Sequence, residues 1–293
     1  MKKLFNKYNL LLLLVTIVWG TTFFIVKDTV QEVDEYFIVA TRNLIAAFLM
    51  LAYMMIKKPL LMLHRRSIFQ GAALGIMLAV MYASQTIGLK YTSAGHSAFI
   101  TSIAVIFVPV ILFLFYGFSF KNKEITGFII VTAGLFFLTY DFETAINIGD
   151  LITLVTAFTA GFHIVLSGRF VSKSHSLSLI TWQFIFASVF SFMAFFISGN
   201  PAGDISTGSW ISIIYLGAIG TLFCYFVSVW AQNYVSSINV ALIFSLEPVF
   251  AAIFSFFALG EILNLIEISG AMLILAGIIY YQLPARFFNF IRK

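Results

Sequence analysis

Apolar residues run continuously, rather than in alternation, through ten windows of the chain, near 8–26, 36–56, 71–89, 96–117, 125–140, 149–167, 179–198, 209–230, 240–258 and 265–282. A membrane-spanning helix needs roughly 20 apolar residues to cross about 30 Å of hydrocarbon, whereas a barrel strand needs only about ten with a period of two. The windows therefore predict an all-α integral membrane bundle of ten transmembrane helices, the fifth of them short. The connections between windows are brief, and the longest, the basic segment from Lys57 to Phe69, is too small for a soluble module. Function is expected inside the bundle. The first window follows Lys2 and Lys3 as a secretory leader would, but no small-residue cleavage site comes after it, and Trp19-Gly20-Thr21-Thr22 carries the helix on.

Composition narrows the class. Of 293 residues, 61% are hydrophobic and only 10% are charged, against about a quarter charged in soluble domains. A soluble enzyme, a nucleic-acid binder and a disordered chain are excluded on that ground. The single cysteine, Cys224, rules out an intramolecular disulfide and any cysteine-built metal site. The net charge of +5 hints at an acidic partner until its distribution is read. With the N-terminus inside, the inner segments hold fourteen cations (Lys2, Lys3, Lys7, Lys57, Lys58, Arg65, Arg66, Lys121, Lys123, Arg169, Lys173, Arg286, Arg292 and Lys293), against Lys27 and Lys90 outside. That asymmetry is an orientation signal and places both termini in the cytoplasm.

The chain also repeats itself. At an offset of 140, Leu14-Val15-Thr16 recurs as Leu154-Val155-Thr156, and Thr41, Ile45 and Ala47 recur as Thr181, Ile185 and Ala187. At an offset of 143, Tyr82, Tyr91 and Ser93 meet Tyr225, Tyr234 and Ser236, Glu124-Ile125-Thr126-Gly127 meets Glu267-Ile268-Ser269-Gly270, and Ala133-Gly134 meets Ala276-Gly277. The expected units are 1–140, 149–282 and a basic cytoplasmic tail, 283–293. Five spans is an odd number, so the second unit enters the membrane from the opposite side. Inverted repeats suit alternating access, because rocking two nearly equivalent halves exchanges an inward-open for an outward-open shape of similar energy.

Several short segments resemble the drug/metabolite transporter superfamily and, within it, the ten-helix EamA-like exporters. They are Trp19-Gly20 with Phe23, Phe24 and Lys27, then Arg42, Lys90-Tyr91-Thr92-Ser93-Ala94-Gly95, Phe99-Ile100-Thr101 with Val108-Pro109, Glu247-Pro248-Val249-Phe250, Leu259-Gly260-Glu261, Gly270 and Ala276-Gly277. The resemblance covers the whole chain. It departs at Tyr116-Gly117-Phe118, where a Leu-Gly-Glu is usual, and at Gln232-Asn233-Tyr234, where an apolar run is usual. The resemblance implies an exporter of small metabolites, often amino acids or related compounds, driven by an ion gradient or by the solute's own gradient.

Individual residues are candidates for that task. Glu247 is the carboxylate set well inside a span, where an ionisable group usually faces a cavity or a partner. It is read as a proton-coupling or amine-binding group, with structural hydrogen bonding as the alternative. Pro248 and Pro109 lie in corresponding spans and are expected to interrupt them, and paired interruptions point to a midplane site. Arg42 either snorkels or pairs with a carbonyl, or it binds a substrate carboxylate. Trp19, Tyr82, Gln85, Trp182, Gln183, Tyr225 and Trp230 supply aromatic faces and hydrogen-bonding groups at mid-span depth, with packing the competing role. His163, the mate of Phe23, is a relay or a packing histidine. Gly71 and Gly75 are expected to serve helix packing.

The histidines lack a same-face pair, so no metal site is expected, and the sequence calls for no cofactor. No P-loop is present, so ATP does not drive the chain directly. The expected partners are a small-molecule substrate, the lipid bilayer and protons, without nucleic acid, in a monomer or homodimer. A flippase of a lipid-linked solute is the alternative. An intramembrane enzyme is weaker still, because no nucleophile–base pair stands at membrane depth.

Overall fold

The computed structural model describes residues 6–139, 147–259 and 264–283. Long helices dominate: α1 (Lys7–Thr29), α2 (Glu35–Lys57), α3 (Arg65–Tyr91), α4 (Ala94–Ser102), α5 (Ala104–Tyr116), α6 (Asn122–Thr139), α7 (Ile148–Val171) and α8 (Ser176–Ser198) come first. There follow α9 (Thr207–Tyr215), a π-helical stretch (Leu216–Phe223), α10 (Cys224–Ala231), α11 (Ser237–Phe244), α12 (Glu247–Leu259) and α13 (Leu265–Gln282). Side-chain caps set many of the starts. Asp34 accepts from Tyr36 and Phe37, the repeat mates Ser93 and Ser236 accept from His96 and Asn239, and Asn147 and Asn264 form capping boxes with Asp150 and Glu267. Gly117 and Gly199 close α5 and α8 with φ of 61° and 67°, which suits a residue without a Cβ.

Among the described residues, nine helical segments are long and apolar enough to cross a membrane, with α4–α5, α9–α10 and α11–α12 each forming one of them. The fifth expected span, α6, which has only 18 residues and carries Lys123 and Glu124 in its first turn, is not among them. Parity nevertheless counts it as a crossing. Asn9 near the start of α1 donates to the Gln282 side chain at the end of α13 over 3.2 Å, so the chain begins and ends on one face. Large apolar side chains, among them Phe48, Phe113, Phe196 and Phe257, are exposed around the perimeter, the surface that lipid covers.

Two expectations about the elements are corrected. The third span starts at Arg65 rather than near 71, because His64 caps it and its basic first turn stays at the interface, so the connection after α2 shrinks to 58–64 with one short turn of 3₁₀ helix. The fourth span is broken at Ile103 and not at Pro109, which sits inside an uninterrupted α5. The Ile103 amide bonds the Ile100 carbonyl, a tightened turn that needs no proline. In the second repeat the break falls at Ser245–Leu246, and Pro248 occupies the first turn of α12, where a missing amide hydrogen is harmless. Ser102 and Ser245, 143 apart, mark the two breaks.

Glycines hold the halves together in mirrored fashion. A Cβ on Gly134 would lie 2.6 Å from the Ile274 amide nitrogen and 2.8 Å from the Gly270 oxygen, while one on Gly277 would lie 3.0 Å from the Val131 amide nitrogen. The α6 and α13 backbones therefore touch, and they run antiparallel because low numbers on one meet high numbers on the other. A similar exchange, one residue out of register, relates Gly20 against Phe250 (α1 on α12) to Gly161 against Phe107 (α7 on α5). Gly71 and Gly75 take the packing role expected of them, against Trp182, Gln183 and Phe186 of α8.

Candidate functional site: a polar cavity between the repeats

A cavity of about 60 Å³ lies where α1, α3, the α4–α5 break, α7, α10 and the α11–α12 break converge. Aromatic faces come from Trp19, Tyr82, Tyr225 and Phe244, and polar groups from Gln85, Thr101, Ser102, His163, Ser228, Gln232, Ser245 and Glu247. Both helix breaks open onto it, as does the acid at the start of α12. The repeat mates Tyr82 and Tyr225 meet edge to face across it with ring centres 5.8 Å apart, and Trp19 lies 5.2 Å from Tyr225.

Glu247 is buried, and among the described residues no donor or cation lies within bonding distance of its carboxyl group. A hydrogen bond from a neighbouring helix, the structural role weighed for this acid, is thus absent from the described residues. Its repeat mate at an offset of 143 is Ala104, also in the cavity wall, so the acid is present on one side only.

Arg42 does not line the cavity but stands one layer behind it. Its side chain is 1% exposed, which excludes snorkelling, and its Nε donates to Thr221 Oγ1 over 2.9 Å. The guanidinium lies over the Tyr82 ring at 3.7 Å. Thr221 bonds the Tyr82 hydroxyl at 3.2 Å, and the Gly220 carbonyl accepts both from that hydroxyl at 3.3 Å and from Trp19 Nε1 at 2.9 Å. Gly220 and Thr221 belong to the π-helical stretch, whose irregular ladder presents a backbone oxygen to side chains. One Arg42 nitrogen, Nη1, is buried without a partner.

Of the other candidates, Gln183 bonds His163 at 3.2 Å behind the cavity wall. Trp182, the repeat mate of Arg42, points away and donates to the Met62 carbonyl at 3.0 Å, at the face where the chain starts. Trp230 lies at that same face in a cluster with Tyr8 and Tyr234. Trp19, Tyr82, Gln85, His163, Tyr225 and Glu247 are thus brought together, while Arg42 and Gln183 stand behind them and Trp182 and Trp230 lie apart. Thr101, Ser102, Ser228, Ser245, Gln232 and Phe244 were not among the residues expected at the site. The shared offset of Ser102 and Ser245 was the available signal. Among the described residues no three His, Cys, Asp or Glu side chains cluster to hold a metal.

A helical membrane bundle with a cavity between two related halves, aromatic and apolar with a few polar groups, has the form of a membrane transporter, and the comparisons give it a family. A model described as the EamA-like transporter family matches twice, over residues 6–140 and 147–281, so the chain belongs to that family and contains its repeat in duplicate. A protein of Archaeoglobus fulgidus, described as an uncharacterized transporter, is 30% identical over 93% of this chain and 84% of its own length. One from Buchnera aphidicola with the same description is 28% identical over 97% of both chains. A crystal structure at 14% identity superposes with a TM-score of 0.77 over 95% of this chain and 97% of that one, a likeness of fold alone.

Proposed function

We propose that this multi-pass transporter exports a small organic metabolite, an amino acid or related compound, across the cytoplasmic membrane by alternating access, with both termini cytoplasmic. It works as a monomer or homodimer without nucleic acid, and protons are the proposed coupling ion. The observation that carries the reading is Glu247, a buried carboxyl group without a donor among the described residues, facing a largely apolar cavity between the two repeats. Such a group serves a solute ammonium or a proton equally well, and the aromatic walls suit an amphipathic solute.

A thermal-shift screen of amino acids and related metabolites on the purified protein tests the substrate class, since a ligand that binds the folded state raises the melting temperature. Lipid-linked sugars or phosphates as the active set would replace the export reading with a flippase. In proteoliposomes, Glu247→Gln is expected to abolish proton-linked transport at an unchanged melting temperature. Full transport by that variant would remove Glu247 from the mechanism.

A further inference from the structure

At each face of the bundle a set of polar contacts joins the helices that line the cavity, and the two sets occupy related positions in the two repeats. At the face opposite the termini, Lys27 of α1 donates to the carbonyls of Leu89 and Thr92, at 2.6 and 2.9 Å, where α3 ends. The Thr92 hydroxyl donates to Asp150 at the start of α7 over 2.5 Å, and His96 at the start of α4 lies 3.9 Å from the same carboxylate oxygen.

At the face that carries the termini, Gln232 at the end of α10 donates to Ser167 of α7 over 2.8 Å. Asn239 at the start of α11 donates to Asn9 at the start of α1 over 2.7 Å. The offsets of 140 and 143 map one set onto the other: Lys27 falls on Ser167, Leu89 on Gln232 and His96 on Asn239, while Asn9 falls on Gly149, next to Asp150. The contact partners are conserved in place while the chemistry differs, charged at one end and neutral at the other.

From this we infer that the two sets are the gates of the transporter: Lys27, Thr92 and Asp150 close one end, and Asn9, Asn239, Ser167 and Gln232 close the other. The inference rests on the alternating-access reading and names the contacts that must break in it. Both sets of contacts are made in this structure. Opening one gate parts α1 from α3, and parts α7 from α4 and from the Thr92 turn that leads into it, at one face. Opening the other parts α7 from α10 and α1 from α11 at the opposite face. Two packed halves with equivalent contacts at both ends supply the two-state element that such a device requires.

Spin-label distances test it in the full chain, with Cys224 replaced by alanine. One pair, Gly95→Cys with Ile148→Cys, straddles the first gate, and Lys7→Cys with Ser236→Cys straddles the second. Asn9→Ala with Asn239→Ala is expected to lengthen the second distance in most molecules and leave the first short. Thr92→Val with Lys27→Met is expected to do the reverse. Thr92→Ser keeps the hydroxyl and serves as the control, with both distances as in the parent.

Distances unmoved in both double variants would overturn the gate assignment, as would both distances lengthening together in either variant, the mark of loosened packing. A variant that fails to elute as a single species is replaced by the single substitution Asn239→Ala or Thr92→Val, for which the same outcomes decide. The parent protein separates the two readings. If it populates both long distances in turn, alternating access stands whatever the variants do; if neither distance ever lengthens, that reading falls first.

Discussion

Glu247 and Arg42 are both buried in the bundle but in different surroundings, and the proposed function gives them different work. Glu247 faces the cavity with no donor beside it among the described residues, which is what supports the proposal that its partner arrives with the solute or as a proton. Arg42 already has Thr221 and the Tyr82 ring, and through them it positions Tyr82 and, by way of Gly220, Trp19. Arg42→Lys retains the charge but loses the planar fork that bonds and stacks at once. Losing a hydrogen bond to a charged group corresponds to about 1.5–3 kcal/mol, so the variant is expected to weaken solute binding roughly tenfold or more. A titration monitored by tryptophan fluorescence reads this, and unchanged affinity would reduce Arg42 to packing.

Residue-scale placement was partly open to sequence reading. Depth along the chain located Glu247, because seven residues of the predicted window 240–258 precede it. Depth does not report which way a helix face turns. Arg42 and Trp182 hold the same position in their repeats, yet one backs the cavity and the other reaches to Met62 at the far face.

At the scale of elements, the breaks and crossings matter more than the helices. Proline identified the α11–α12 break but misled in the first repeat, where a 3₁₀ turn at Ile103 does the same work and Pro109 lies a turn and a half further on. Pro109→Ala is therefore expected to leave transport and melting temperature near those of the parent. A strong loss of transport would return Pro109 to the site. The antiparallel contact of α6 and α13 makes the opposite prediction. A Cβ on Gly270 would press on the Gly134 carbonyl at 2.7 Å and on the Leu138 amide, both backbone groups that cannot rotate away. Gly270→Ala should destabilise the protein by about 1–3 kcal/mol, as overpacking does, and thermal melting in detergent measures it. The Gly127–Gly270 and Gly134–Gly277 spacing was visible in the sequence as repeat matches, but which glycine meets which needed coordinates.

On the scale of the whole molecule, the ten windows and the duplication were legible because lipid imposes them: a chain that must cross hydrocarbon writes its spans as unbroken apolar runs. The cavity was less legible. It is lined by small polar residues such as Ser102, Ser228 and Ser245, which carry little weight in a hydropathy pattern and look like ordinary helix-packing residues. Charge asymmetry predicts that the face bearing the Asn9–Gln282 contact is cytoplasmic. An impermeant thiol reagent tests this at Lys7→Cys, which should react from the cytoplasmic side alone.

The proposed alternating access requires that one cavity between the inverted halves be reached from both faces in turn. Ser102 and Ser245 are repeat mates, both buried, both in its wall. In a Cys224→Ala background, Ser102→Cys and Ser245→Cys should each be modified by a small impermeant thiol reagent applied to either side of sealed vesicles. Modification of both cysteines from one side only, or of neither from any side, would contradict the account.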